Sequence, residues 1–168
     1  ALRLLSDRVE ASSTRSFASS TELASSTNVA VSSNNLELAS SAGVYQANGV
    51  GMLTAIAPSP LARYETIAIQ ELIPAQTSRL IRVYASTTPD SLIPDSDLPG
   101  NSAGFAGNNI DISQLDTTTY PSLTLGVALE TTNTAVTPQI DAVTVYYTES
   151  ETPLSTSFIW RGTKVIGS

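Results

Sequence analysis

From residue 27 onward, apolar residues recur at every second position in short runs, each bounded by Gly, Pro, Asn or Ser. The runs read "TNVAVS", "NLELAS", "GVYQA", "VGMLTAIA", "YETIAIQE", "SRLIRVYAST", "PSLTLGVALE" and "QIDAVTVYYT". A period of two sends alternate side chains to opposite faces of a strand, and no convincing helical period separates the runs. Without crossover helices, neighbouring strands pair antiparallel. The pattern therefore predicts an all-β chain, an antiparallel β-sandwich of jelly-roll type rather than βαβ units. In "SRLIRVYAST", Leu80, Arg82 and Tyr84 fall on one face and Arg79, Ile81, Val83 and Ala85 on the other. In the last run, Ile140, Ala142, Thr144 and Tyr146 oppose Asp141, Val143, Val145 and Tyr147. Apolar weight on both faces is what a central strand carries.

The opening "ALRLLSDRVEASSTRSF" differs: Leu2, Leu5 and Val9 stand at helical spacing, with Arg3, Asp7, Arg8 and Glu10 around the rest of the wheel. This predicts a short amphipathic helix of two to three turns, too short to hold alone and so lying on something else. The organisation expected is an N-terminal helical arm and linker over 1–20, a sandwich domain over 21–152, and an apolar tail or hairpin over 153–168. A chain of 168 residues buries roughly 70% of its unfolded surface, enough for a core without disulfides or metals.

Charged residues are only 14% of the chain, whereas Ser and Thr make up roughly a quarter of it, well above ordinary usage. One lysine and seven arginines stand against fifteen acids, for a net charge of −7. A hydroxylated surface in place of a Lys/Glu one points to an extracellular setting. The scattered cations argue against a nucleic-acid partner, which needs clustered positive charge, and against anionic membranes. No window is long and apolar enough for a membrane span, and residue 1 opens no signal peptide. With neither His nor Cys, triads built on those residues and thiolate metal sites are excluded.

The stretch "YPSLTLGVALETTNTAVTPQIDAVTVYY" resembles the closing strand pair of jelly-roll-like β-sandwich modules in secreted and surface-anchored prokaryotic proteins. There an aromatic residue, alternating apolar residues, a "TT(N/D)xxVTP" loop and an "(I/L)DxVTV" strand follow in that order. "STNVAVSSNNLELASS" is similar to the first strands of such modules, so the resemblance spans about 16–148. It implies that Pro138 sets the loop before the last strand and that Asp141 belongs to a sheet rather than to a catalytic pair. The amphipathic start before a β-rich body is also similar to the lower half of a type IV pilin helix. Phage decoration and tail-fibre proteins use similar sandwiches.

Chemistry is sparse. Between 88 and 119 the alternation lapses into a long Pro/Gly/Asn/Asp-rich connection, the place where a rigid sandwich carries binding residues. Within it Asp90, Asp95, Asp97 and Asn101 offer hard oxygen ligands to calcium around Gly100. Asp95 and Asp97 are also the nearest pair for carboxylate catalysis, but no aromatic platform or basic clamp accompanies them. A glycan partner would need stacked rings, for which Tyr146 or Tyr147 with Tyr120 are the material. No enzyme is expected. The expected function is that of a structural subunit of a cell-surface filament or pilus-like appendage, a homo-oligomer built through the termini. Its assembly residues are Leu2, Leu5, Val9, Phe158, Trp160 and Val165, the last three in a tail suited to strand addition on a neighbour. The alternatives are a carbohydrate-binding or adhesive module of a larger surface protein, and a phage or virion structural protein.

Overall fold

The computed structural model describes residues 8–86 and 91–150. Thirteen strands are formed: β1 (Val9–Arg15), β2 (Leu23–Thr27), β3 (Val29–Ser32), β4 (Asn35–Leu38), β5 (Ser40–Ser41), β6 (Val44–Tyr45), β7 (Asn48–Leu53), β8 (Leu61–Leu72), β9 (Thr77–Ala85), β10 (Ser91–Leu92), β11 (Asn109–Asp111), β12 (Leu123–Thr131) and β13 (Gln139–Glu149). Each of the eight alternating runs contains a strand. All pairings are antiparallel.

One sheet has the order β11-β8-β13-β4-β3, with β1 added on β13; the second has the order β10-β9-β12-β7-β2, and β5-β6 forms a small separate ribbon. Ile67, Ile69, Val143, Val145, Leu36 and Leu38 from the first sheet share one buried cluster with Ile81, Val83, Leu125, Val127, Leu129 and Leu53 from the second. The fold is therefore sandwich-like. Each such side chain contributes about 1.5–3 kcal/mol on burial, so the alternation fixes both register and face.

Local chemistry explains the turns. Ser33 and Asn34, between β3 and β4, both have positive φ, 51° and 64°, the backbone of a two-residue hairpin whose twist matches its strands. Gly126 in β12 lies under the Tyr84 ring, where an added Cβ would come within 2.8 Å of the ring. On β9 the alternation holds as predicted: Arg79, Ile81, Val83 and Ala85 are buried, and Leu80, Arg82 and Tyr84 are half-buried.

Two expectations are corrected. Among the described residues the helical arm is not seen: residues 9–15 form strand β1, and the helical feature there is a three-residue 3-10 turn, Ser20–Glu22; Leu2 and Leu5 lie outside the described residues. A two-turn helix lacks the length to hold itself, and Ser12, Ser13 and Thr14 favour other conformations. The edge of β13 instead offers a seven-residue backbone ladder. Secondly, β13 does not alternate evenly. A register shift between Ile140 and Ala142 leaves Asp141 exposed and puts Ile140, Val143 and Val145 together in the core. A bulge inserts one residue and resets the phase, so Ile140 parts from Ala142, Thr144 and Tyr146.

Candidate functional site

The long connection is mostly an edge cover. From residue 91 it runs along the outer edge of β9, replacing a partner strand piece by piece. β10 pairs with Ala85 and Tyr84. Next, Asn101 takes over at Val83: its Oδ1 accepts from Val83 N at 2.8 Å, and its Nδ2 donates to Val83 O at 2.7 Å and Ile93 O at 2.8 Å. Phe105 then exchanges two backbone hydrogen bonds with Ile81, at 2.8 and 3.0 Å. Finally β11 crosses to the other sheet and pairs with β8. Ile93, Leu98, Ile110, Ile112 and Leu115 anchor this path in the core. Unpaired edges invite association with other chains, and here one side of both sheets is covered.

The calcium candidates sit inside this cover. Asn101 is fully buried and all three of its side-chain hydrogen bonds go to backbone. Asp95 accepts from Ser102 N at 2.8 Å and Ser102 Oγ at 2.6 Å; the Ser102 hydroxyl, and next its amide, hold the carboxyl below its ordinary pKa. Asp97 accepts from the Tyr120 hydroxyl at 2.5 Å and from Ser96 Oγ at 3.0 Å, and this carboxylate raises the Tyr120 pKa. Asp90 lies outside the described residues. Among the described residues no three His, Cys, Asp or Glu side chains are placed to hold a metal. The residues present are Asx turns and strand substitutes, a poor fit to the open oxygen cage that calcium requires.

Tyr120, packed in that cover, lines a cleft with Asp97, Pro99, Gln114 and Asp116. Tyr146 lines a different one, with Glu10, Glu65 and Thr148. The structure therefore does not bring Tyr120 and Tyr146 onto one platform, and Tyr146, 47% exposed, is a single open ring on the outer face of β13.

Sequence reasoning missed a buried ion pair. Arg79, on the inward face of β9, donates through Nε and Nη2 to both oxygens of Glu71 on β8, at 2.7 and 2.5 Å, and through Nη1 to Phe105 O and Gly107 O. Its place among Ile81 and Val83 in the alternation was the available signal: an arginine on a core face needs a partner. Arg15 and Arg82 likewise bind loop carbonyls, at Thr54 and Ala55 and at Ser102 and Ala103.

The opposite side of the sandwich is different. Among the described residues, the outer edges of β1, β2 and β3 have no strand partner. β1 itself pairs with β13 from Val9 opposite Glu149 to Arg15 opposite Val143, and Thr14 and Thr144 share a hydroxyl hydrogen bond at 2.9 Å. Of the assembly candidates, Val9 opens β1 and is exposed; Leu2, Leu5, Phe158, Trp160 and Val165 lie outside the described residues. Among the described residues no helix is long and apolar enough to cross a membrane. Comparison with protein-family models, with curated proteins and with solved structures finds no match for the chain.

Proposed function

We propose that the chain is a structural subunit of an extracellular surface filament or appendage, built on a jelly-roll-type sandwich and joined to copies of itself through its terminal segments. The observation that carries this reading is the pairing of Val9 with Glu149. It brings the start of the first described strand beside the end of the last, the two points to which the sequence joins the segments holding Leu2 and Leu5 and those holding Phe158, Trp160 and Val165. The edge asymmetry among the described residues supports it as well: β8 and β9 are covered there, whereas β1, β2 and β3 have no described strand on their outer edges. In such a subunit the work is mechanical, with sheet hydrogen bonds and the shared core resisting unfolding while the ends make the joints. A head-to-tail joint of this kind does not close on itself and propagates.

A second reading, a glycan-binding or adhesive module, is favoured by one observation, the open Tyr146 ring beside Glu10 and Glu65. Negative-stain microscopy of the full chain separates the two: filaments are expected, and monodisperse single-chain globules at high concentration would refute assembly. Deleting 154–168 is expected to abolish multimerisation with the fold intact. A shortened chain that still polymerises would remove the donor role of the C-terminal segment and leave the joint to the N-terminal strand.

A further inference from the structure

We propose that β1 is an exchangeable strand: the β13 edge from Val143 to Glu149 accepts β1 of a second copy of this chain in place of its own. The inference rests on the assembly reading for its purpose and names the N-terminal joint.

Three observations carry it. Among the described residues β1 is lightly held, because there it pairs with β13 alone and none of its seven side chains is fully buried. The edge it covers is not dispensable, since β13 carries the core residues Val143 and Val145, and an unpaired ladder there is exposed to any strand of matching chemistry. Thirdly, the hinge is strained. Phe17, just beyond β1, is fully buried with φ of 52°, a left-handed conformation that costs a non-glycine residue about 1–3 kcal/mol.

The rotation about φ sets the direction in which the preceding chain leaves a residue. With the Phe17 ring fixed in the core, turning its φ to an ordinary negative value swings Ser16 and β1 away from their own sheet. A short strained hinge of this kind favours exchange, because the swapped strand remakes the same contacts while the strain is released. Arg15 does not oppose this: its bonds to Thr54 O and Ala55 O and its ion pair with Glu22 at 3.4 Å are all made to residues beyond the hinge and are offered equally to the Arg15 of the incoming copy. The partner is thus a second copy, recognised by a backbone ladder and by the paired hydroxyls of Thr14 and Thr144.

The chain has no cysteine, so the test is direct. Full-length T14C and full-length T144C are mixed at high concentration, held under mild warming and then oxidised. A disulfide-linked product of double mass is expected, and none from a mixture of T14C with T124C, whose cysteine lies on the other sheet. The double variant T14C/T144C, oxidised when dilute, checks the register by closing at single mass. If it closes so, and the mixture yields only single-mass species, β1 exchange is refuted. The outcome is distinct from that of the assembly reading: filaments without the mixed disulfide would leave assembly standing and remove this joint. A mixed disulfide found only in closed dimers would confirm exchange and remove the filament.

Discussion

Arg79 and Glu71 face each other across the sandwich, one from each sheet, in a bidentate pair whose arginine side chain is 1% exposed. The same guanidinium holds the carbonyls of Phe105 and Gly107, so one side chain ties both sheets and the edge cover together. Removing a single partner from a buried pair strands the other charge, at about 3–5 kcal/mol. E71A is therefore expected to lower the unfolding free energy by that order in urea titration. The double change R79M/E71L is expected to recover much of the loss, because no charge is left unpaired. An E71A protein as stable as the parent would show that the pair does not hold the sheets.

Asn101 stands in for a missing strand at Val83. Each buried group it leaves unpaired costs about 1–3 kcal/mol, so N101A is expected to lose about 3 kcal/mol or more. N101D should do at least as badly, since a carboxylate would face the Val83 and Ile93 carbonyls. Calcium is expected to give no titration heat and no rise in melting temperature, because Asn101 and Asp95 already use their oxygens internally. A saturable heat abolished by N101D would overturn that assignment.

Asp95, Asp111 and Asp116 all have carboxyls held below their ordinary range, chiefly by the hydroxyls of Ser102, Ser113 and Thr119. A depressed folded pKa means stability that is present above the ordinary carboxyl value near about 4 and lost as pH falls through the lower folded values. Melting temperature is therefore expected to drop between about pH 4 and 2. The variant S102A/S113A/T119A should flatten that limb without moving the plateau near neutrality by a comparable amount. An unchanged acid limb would show that these turns do not set it.

Tyr64 is fully buried, and its hydroxyl has no hydrogen-bond partner among the described residues. Burial raises its pKa above the ordinary value. The sign follows: its contribution is intact below about pH 10 and is lost as pH climbs beyond it, because the unfolded phenol ionises first. Y64F should reduce the alkaline decline and leave neutral stability unchanged or raised by about 1 kcal/mol, since an unsatisfied buried hydroxyl is removed. A loss on Y64F of the size of a core truncation would imply a partner for that hydroxyl.

The strands were legible because each carries its own alternation, as the Arg79–Ile81–Val83–Ala85 face does. What was not legible depended on chain parts distant in sequence. Val9 satisfies a helical spacing with Leu2 and Leu5, yet Val9–Arg15 is a strand because β13, over a hundred residues later, offers it an edge. Asp141 reads as one more alternating residue until its bulge is seen. The segment from Ile93 to Leu115 looks like a surface loop from its Pro, Gly and Asp, and its apolar residues find the core only because both sheet edges need covering. Asn101 had an acceptor and a donor suited to a cation or to a strand; the Val83 backbone decides which.

Amide hydrogen exchange should reveal an order of opening. Free energies of local opening rise with the apolar surface that an element buries, and β1 has no fully buried side chain whereas β12 has Leu123, Leu125, Val127 and Leu129 in the core. The β1 amides bonded to β13 are therefore expected to exchange well before those between β12 and β9, through a sub-global opening that leaves the remaining ladders protected. The Thr14–Thr144 hydroxyl pair adds about 1 kcal/mol or less, so T14A should speed exchange in β1 by a few-fold and leave β12 untouched. Both effects follow from the same cause: this strand is attached by its backbone ladder and by the side chains of Thr14 and Arg15 rather than by core burial, and its hinge at Phe17 is strained while attached. If β1 and β12 exchange together, in one global step, the strand is not separable from the sandwich and does not open to admit another copy.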